Sequence, residues 1–399
     1  MKISEQKKDN KNTQNTKSNI KSDKSNVKNN RKSKVNNLDK YKFVSFENQK
    51  FLSVEKLNIY HLNKKIIRNM SFEIGHGEIV GFVGGSEMEK STLAKSMVHD
   101  LDKNYSINSK VYKFIFKRRE KEIDIYKNTK KNKKTIRGHK IAFITKDTWE
   151  SLDSNSVIYK HILRTIKIYN PKIKKVDRNI IIHKFLDFVD IDDSQKNIIL
   201  NKYFEDLNSL QKMKIILVIT LLMNPRAIVL NSFNKRLDTY TLSVLGSILK
   251  RINAKTEKTI ILFSNDIKLI SQIVKNMYII FGGKVIEKGT VKEIISMPAH
   301  PYTWKLISLS TSSNISMDID DSVRTISESD DNISGDSYAR YNDYALKIDF
   351  RKEPLLTHIN GTHYAATWLL DKSAPKVVLK DDVKEGIEIL MSKIGDFDE

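Results

Sequence analysis

A short segment in the first quarter of the chain has the residue types of a phosphate-binding loop. It runs Gly84-Gly-Ser-Glu-Met-Glu-Lys-Ser-Thr92. In the pattern Gly-x-x-x-x-Gly-Lys-Ser/Thr, backbone N–H groups surround a phosphate, the Lys binds that phosphate and the hydroxyl binds Mg²⁺. Lys90 and Ser91 match these two roles. The predicted nucleotide-binding residues in this segment, called the phosphate loop below, are Gly84, Gly85, Ser86, Lys90, Ser91 and Thr92.

Two acidic residues depart from that pattern. Glu89 stands where the pattern has the glycine before the lysine, and Glu87 lies two residues earlier. A carboxylate at either position is expected to place negative charge beside phosphate, and a side chain where backbone should approach closely. The motif therefore predicts a strand–loop–helix unit more strongly than it predicts phosphate binding.

The segments around this loop predict alternating strands and helices. Phe51–Tyr60 alternates as a half-buried strand does, and a helix is expected over Lys90–Leu101. Short apolar runs predict four buried strands: Glu78–Val83, Lys140–Thr145, Ala227–Leu230 and Thr259–Phe263. Residues 155–203 and 238–253 have helical patterns. Strands that alternate with helices favour a parallel sheet with right-handed crossovers.

Composition excludes several classes of protein. The 399 residues include no cysteine, which excludes disulfides, thiolate zinc sites, a cysteine nucleophile and cysteine-bound iron–sulfur clusters. The longest apolar run, Ile215–Met223, is too short for a membrane span, and it is expected to be core. The first residues lack an apolar stretch, so no signal peptide is expected.

The formal net charge of +22 is concentrated in two segments. Residues 1–40 carry a net +8 with almost no apolar side chains, so we expect a disordered basic tail. Residues 110–140 carry a net +10 and belong to a basic, strand-rich insertion at about 102–138. Such patches favour contact with anionic surfaces, although Lys- and Asn-rich usage is also typical of an AT-rich genome.

Further motifs, in order along the chain, resemble those of the ATP-binding subunits of ABC transporters, in the oligopeptide/dipeptide permease subfamily. The motifs are Ile141–Asp147 at the Q-loop, Leu207–Gln211 at the LSGGQ signature, Ile228–Ser232 at the Walker B strand, Leu237-Asp238 at the D-loop, Phe263–Asp266 at the switch histidine, and His300-Pro-Tyr-Thr303 at the start of the subfamily's C-terminal extension. The resemblance covers about 52–310 and again about 345–370.

The resemblance implies an α/β fold, a P-loop ABC nucleotide-binding domain with a parallel core sheet, an antiparallel β edge and a helical subdomain at about 150–220. It also implies the division of the chain. The expected segments are the tail 1–40, an ATP-binding domain over 41–311, an acidic Ser/Asp linker over 312–337 and a C-terminal extension over 338–399.

At the positions that carry the family's chemistry, this chain has other residues. Asn231 replaces the Asp of the Mg²⁺ shell, and Ser232 replaces the Glu that polarises the attacking water. Asn265 replaces the switch His, and Lys146 replaces the Gln of the Q-loop. The resemblance therefore implies no catalytic residue at these four positions, and weak binding of ATP and Mg²⁺ at most, with Ser91 as the one metal ligand.

The signature is also altered. The family's signature closes ATP in the opposite subunit, and its residues here are Leu207, Asn208, Ser209, Leu210 and Gln211, followed by Asp238 in the D-loop. Ser209 and Leu210 replace both glycines. Tyr60 is a candidate to stack on adenine, with an ordinary strand-end aromatic as the alternative.

Three hypotheses follow. In the first, the chain is a degenerate ATP-binding subunit at the cytoplasmic face of the membrane, which docks on permease transmembrane subunits through about 147–170 and pairs with a second ABC ATPase subunit. In the second, it is an active but divergent ATPase that energises peptide uptake. In the third, it is a soluble ABC-like protein that binds RNA, ribosome or a membrane surface through its basic segments. No DNA partner is expected.

The remaining candidates are expected to be structural. His300-Pro-Tyr-Thr303 predicts the start of a helix, with Pro301 at its first position. His358 and His363 have no carboxylate partner at ligand spacing. The acidic runs Asp318–Asp321 and Ser327–Asp331 lack the Gly and Glu of a calcium loop.

Overall fold

Two β-sheets form the frame of the protein. The computed structural model describes residues 49–116, 122–126, 136–149, 152–233, 237–311 and 334–394. The strands in these residues are β1 (Lys50–His61), β2 (Lys64–Gly75), β3 (Ile79–Val83), β4 (Tyr105–Asn108), β5 (Val111–Phe114), β6 (Ile123–Asp124), β7 (Ile141–Ile144), β8 (Ala227–Asn231), β9 (Thr259–Ser264), β10 (Asn276–Phe281), β11 (Lys284–Thr290), β12 (Thr357–Asn360) and β13 (His363–Ala365).

The larger sheet is mixed and has the order β12-β13-β11-β10-β3-β9-β8-β7. Its five strands from β10 to β7 are parallel to one another. Strands β8 and β9 are buried along their whole length, as continuous apolar runs require when both faces of a sheet are covered. The parallel sheet predicted from the sequence is confirmed.

The smaller sheet is antiparallel, with the order β2-β1-β5-β6 and with β4 also paired to β1. Its strands β4–β6 come from the described part of the insertion at 102–138, as expected. Aromatic rings join the two sheets, since Phe72 of β2 packs on Phe82 of β3 at 5.1 Å, and Phe82 stacks on Phe263 of β9 at 4.9 Å. Offset and edge-on aromatic pairs add to the burial energy of such a core.

The described residues contain ten α-helices. They are α1 (Glu87–Met97), α2 (Ile158–Tyr169), α3 (Lys175–Phe188), α4 (Asp193–Asn201), α5 (Ser209–Met223), α6 (Thr239–Thr256), α7 (Ile267–Ile273), α8 (Val291–Ser296), α9 (Pro301–Thr311) and α10 (Asp381–Met391). Helices α2–α5 form the helical subdomain predicted at about 150–220. In α2, Ile158, Ile162 and Ile166 are buried on one face, which matches helical periodicity.

The C-terminal residues extend the larger sheet instead of standing apart from it. Strand β13 pairs with β11, and β12 pairs with β13, so both add to the edge of the sheet. The linker expected at 312–337 lies outside the described residues up to 333, as does the basic tail 1–40. These boundaries stay predictions.

Candidate functional site

The carboxyl ends of four parallel strands bring the predicted site residues to one edge of the larger sheet. Strand β3 leads into the phosphate loop, β8 ends at Asn231, β9 ends at Ser264 next to Asn265, and β7 leads to Lys146. The Gly84 N–H donates to the Ser264 carbonyl over 3.3 Å. Ligands bind at this edge of open α/β sheets, so the sequence motifs meet where a site is expected.

The phosphate loop is largely a helical turn. We expected the helix to begin at Lys90, but α1 begins at Glu87 with Ser86 as its N-cap, whose hydroxyl accepts from the Glu89 N–H. Acidic residues in the first turn favour this start because they interact well with the helix dipole. The positive-φ residues include none between 84 and 92. An anion-binding nest requires alternating right- and left-handed residues, and this loop has replaced them with helix.

Lys90 points into the loop. Its Nζ donates to the Gly84 carbonyl over 2.6 Å and to the Ser86 carbonyl over 3.1 Å, and the residue is only 1% exposed. An ammonium group held by two backbone carbonyls in this way satisfies loop acceptors. To bind a phosphate, this ammonium group would have to exchange these hydrogen bonds for the anion.

Glu89 lies elsewhere than we expected. It is buried, and its pKa is raised to about 7 by burial, with the charge of Lys90, a backbone hydrogen bond from Gly283 and the charge of Arg68 acting in the opposite direction. The carboxyl therefore faces the turn between β10 and β11. The expectation that it stands beside phosphate was wrong, because the early start of α1 turns this position inward.

Glu87 contacts the end of the Walker B strand, β8. The Ser232 hydroxyl donates to the Glu87 carboxylate, and the Asn231 amide lies 3.4 Å from the Ser91 hydroxyl. Ser232 has a φ of 53°, in the left-handed region that side chains rarely adopt, which is typical of functional or formerly functional positions. A carboxylate is thus present at the end of β8, and it comes from the phosphate loop.

The fold family binds ATP phosphates and Mg²⁺, which require free backbone N–H groups in the loop, an available lysine and ligands for the metal ion. The loop carries a helical turn in place of a nest, Lys90 is committed to carbonyls, and the two polar side chains that would surround the metal contact each other. This arrangement does not fit a magnesium-bound phosphate chain. Among the described residues, no group of three or more His, Asp or Glu side chains could hold a metal ion.

The switch and Q-loop positions lie at the same edge. Asn265 is half-buried, and the next residue, Asp266, caps α7 by accepting from the Leu269 N–H. Burial raises the pKa of Asp266. Lys146 begins a short 3-10 turn, Lys146–Trp149, and its side chain lies outside the described residues.

The signature and D-loop residues cap their own helices. Asn208 and Gln211 form a reciprocal capping box at the start of α5, with Gln211 N–Asn208 Oδ1 at 2.8 Å and Asn208 N–Gln211 Oε1 at 3.2 Å. Leu207 is buried, while Ser209 and Leu210 are half-buried. Asp238 caps α6 through the Thr241 N–H and hydroxyl, and these hydrogen bonds lower its pKa.

Tyr60 lies near the end of β1. Lys65 Nζ is 5.5 Å from its ring centre, and the ring lines a surface cavity of about 430 Å³ with residues of β4 and the β1–β2 turn. The cavity could receive a planar ring, so its adenine role stays a prediction.

Sequence reasoning missed a buried cluster around Glu287. The His363 ring lies 2.7 Å from its carboxylate, and both side chains are fully buried. From the sequence, His363 has no carboxylate partner at ligand spacing, and its partner in the structure, Glu287, lies 76 residues earlier in the chain. Helix α9 begins at Pro301, as predicted.

No helix in the described residues is long and apolar enough to cross a membrane. The ABC transporter family profile matches residues 67–232. The dipeptide transport ATP-binding protein DppD of Lactococcus lactis subsp. cremoris is 28% identical over 84% of this chain and 95% of its own length. The oligopeptide transport ATP-binding protein OppD of Mycoplasma genitalium is 29% identical over 79% of this chain and 88% of its own length.

The fold comparison agrees with the sequence comparison. The structure of CbiO1 of Clostridium perfringens, part of the ABC transporter complex CbiONQ, matches with a TM-score of 0.50 and 22% identity over 62% of this chain and 91% of that one. The motifs, the sheet and these similarities agree with one another. The chain is therefore similar to the ATP-binding subunits of ABC transporters, in the group of the dipeptide and oligopeptide transport proteins.

Proposed function

We propose that this chain is a degenerate ATP-binding subunit of a peptide importer, with weak nucleotide binding and little or no hydrolysis of its own. One observation carries the proposal: Lys90 donates to two carbonyls of its own phosphate loop, which has become the first turn of α1. Binding ATP tightly would require this turn to unwind and Lys90 to exchange both hydrogen bonds for phosphate.

The Walker B end supports the same function. Neither Asn231 nor Ser232 has a carboxylate to hold the Mg²⁺ shell or to act as a base, and a hard dication prefers charged oxygen ligands. With a neutral amide and a hydroxyl there, the strand end has little to offer the metal or the attacking water.

The partners follow from the relatives. The relatives are ATP-binding proteins of dipeptide and oligopeptide transport, and we infer that this chain docks on permease subunits at the cytoplasmic face of the membrane and pairs with a second ATPase subunit. Exposed apolar side chains on the helical subdomain support a docking role, namely Ile168, Val176, Ile180, Ile198 and Tyr203. Its contribution would then be structural or regulatory.

A second candidate, an active but divergent ATPase, is favoured by Glu87. Its carboxylate accepts from Ser232, at the strand end where the family has its catalytic Glu. A carboxylate supplied from the phosphate loop would serve as the base in place of the missing one. In that case the replacement of Gly by Glu in the loop compensates for the loss at Ser232.

The experiment is a steady-state ATPase assay of the purified chain with Mg²⁺, on wild type, Glu87→Gln and Asn231→Asp/Ser232→Glu. The proposal expects background turnover for the wild type and for Glu87→Gln. Wild-type turnover well above background that Glu87→Gln abolishes would overturn the proposal and establish the second candidate. The double variant reports whether restoring the Walker B carboxylates is sufficient for activity.

A further inference from the structure

The side chain of Glu287 organises the junction between the cassette and its C-terminal extension. It lies on β11 and is fully buried. Its carboxylate accepts from the Ala299 N–H at 2.8 Å, the His300 N–H at 3.1 Å, the Thr303 hydroxyl at 2.5 Å and the His363 ring at 2.7 Å. This set is called the Glu287 cluster. A buried carboxylate is tolerated only with such donors, so the cluster fixes where its donors lie.

The Glu287 cluster fixes the start of α9. Three of its four donors come from residues 299–303, and His300 adds a bond of its own, since its Nδ1 accepts from the Tyr302 N–H at 3.1 Å. Burial lowers the pKa of His300 to about 4, with the charge of Glu287 acting in the opposite direction, so the ring is neutral and can accept. The second residue of α9, Tyr302, is thereby held in one orientation.

Tyr302 connects the start of α9 to the phosphate loop through a hydrogen bond. Its ring is fully buried and packs 4.6 Å from Phe281 and 5.4 Å from Tyr338, while its hydroxyl accepts from the Gly85 N–H at 2.6 Å. Burial raises the pKa of Tyr302, so the hydroxyl keeps its proton. The loop is tight on this side, since a Cβ on Gly84 would lie 2.5 Å from the Ile280 carbonyl oxygen.

We propose that Tyr302 is a positioning residue through which the Glu287 cluster holds the phosphate loop in its helical form. The inference rests on the proposed function, because it assumes that the helical form of the phosphate loop binds phosphate weakly. It assigns the C-terminal extension a regulatory role. Whatever loosens His363 or residues 299–303 from Glu287 releases the Gly85 N–H. The helical turn that keeps Lys90 on its own carbonyls is then released as well.

The test is hydrogen–deuterium exchange of the full chain, followed in peptides that span residues 79–88. Tyr302→Phe removes only the hydroxyl, and we expect exchange at Gly85 to rise about five- to tenfold, the effect of one hydrogen bond. Exchange in β9 and α6 should not change. The matched control, Tyr344→Phe, removes a hydroxyl from the same region, where the ring packs on Trp304 and not on the loop. It should leave residues 79–88 as in the wild type.

A remote variant tests the coupling. Thr303→Val keeps the side-chain shape but removes one donor to Glu287, and it does not touch the loop. We expect faster exchange at Gly85 here too, by a smaller factor than for Tyr302→Phe, and this variant also serves if Tyr302→Phe does not fold. Unchanged exchange at Gly85 in both variants would overturn the inference.

Nucleotide binding separates this inference from the proposed function. In Tyr302→Phe, affinity for a fluorescent ATP analogue should rise severalfold over the wild type. Faster exchange without any gain in affinity would contradict the claim that the helical form is what refuses phosphate. Tight binding by the wild type itself would overturn the proposed function and leave the exchange result intact.

Discussion

Two buried carboxylates, that of Glu89 in the first turn of α1 and that of Glu287 on β11, have different surroundings. The Glu287 carboxylate accepts four hydrogen bonds, three from residues 299–303 and one from His363 of the C-terminal extension. Glu89, at a position where the family has glycine, accepts a backbone hydrogen bond from Gly283, and burial raises its pKa to about 7. The surroundings of Glu287 therefore provide hydrogen-bond donors for its carboxylate on several sides, whereas burial of Glu89 disfavours the charged form of its carboxyl.

The difference between the two carboxylates matches a difference between two sequence motifs, one that agrees with the family pattern and one that departs from it. The His300-Pro-Tyr-Thr303 motif is intact, and His300 Nδ1, the Tyr302 hydroxyl and the Thr303 hydroxyl each have a hydrogen-bond partner in the fold. In the phosphate loop the motif is altered at Glu89, and side chains of the site contact one another: Ser232 donates to Glu87, the Asn231 amide lies next to the Ser91 hydroxyl, and Lys90 donates to its own loop. Residues at the ligand positions of the family pattern thus have contacts within the protein.

The largest effect is expected from removing the carboxylate of Glu287. Glu287→Ala leaves four buried donors without their acceptor, and we expect the free energy of unfolding to fall by about 4 kcal/mol. Urea denaturation measures it. The control, Glu55→Ala, breaks the exposed pair with Lys110 and should cost no more than about 1 kcal/mol. Equal losses in the two variants would contradict the central role of Glu287.

Glu89 should instead oppose folding when it is ionised. Its pKa in the folded protein, about 7, lies above its ordinary value of 4.5. The folded state therefore binds its proton more tightly, and its contribution to stability is complete below about pH 4.5 and is lost as the pH rises to about 7. Glu89→Gln, which stays neutral, should be more stable than the wild type by about 3 kcal/mol at pH 8 and about equal to it at pH 4.

Denaturation curves at several pH values, from 4 to 8, check this result, with Glu55→Gln as an exposed control that should follow the wild type throughout. A stability difference between Glu89→Gln and the wild type that does not grow with pH would show that Glu89 is not the buried, titrating acid described here.

The signature should impair the site of a partner subunit. In this family it closes the ATP of the opposite subunit, and Leu210 puts an apolar side chain where backbone N–H groups should meet phosphate, which is costly for a buried anion. Mixed with an ATPase subunit that keeps all its motifs, the wild type should support little ATP hydrolysis, and Ser209→Gly/Leu210→Gly should raise it about tenfold. Full activity with the unmodified chain would refute the argument.

The smallest effect is expected at the tail. Because residues 1–40 have almost no apolar side chains, deleting them should change the free energy of unfolding by less than about 0.5 kcal/mol. Urea denaturation of the truncated chain is the measurement. Any binding to anionic vesicles that depends on the tail should weaken steeply with salt. A truncated chain that fails to fold would contradict the predicted disorder.

The sequence was sufficient for the frame of this molecule. Apolar runs such as Ala227–Leu230 and Thr259–Phe263 predicted buried strands because a strand covered on both faces must be apolar throughout. The order of motifs identified Lys90, Asn231 and Asn265 as positions of one nucleotide site, and the structure shows their segments at one edge of the sheet. These are local patterns, which a single sequence displays directly.

Contacts between distant residues were not accessible in the same way. Glu89 was expected beside phosphate. Ser86 followed by Glu89 is a helix-start pattern that could have indicated the early start of α1, but nothing in the phosphate loop indicates that Gly283 donates to this carboxyl. The pairing of Glu287 with His363 and that of Tyr302 with Gly85 join segments more than 70 residues apart. Such pairs depend on how β11, β13 and α9 pack, which hydrophobic periodicity does not encode.

The magnesium dependence of nucleotide affinity tests the central claim most directly. The measurement is a titration of the full chain with a fluorescent ATP analogue, once with excess Mg²⁺ and once with EDTA. Because the loop is helical and Asn231 brings no charge to the metal, we predict weak binding whose Kd differs by less than about twofold between the two conditions. Tight binding that requires Mg²⁺, with a Kd at least about a hundredfold lower than in EDTA, would contradict the account.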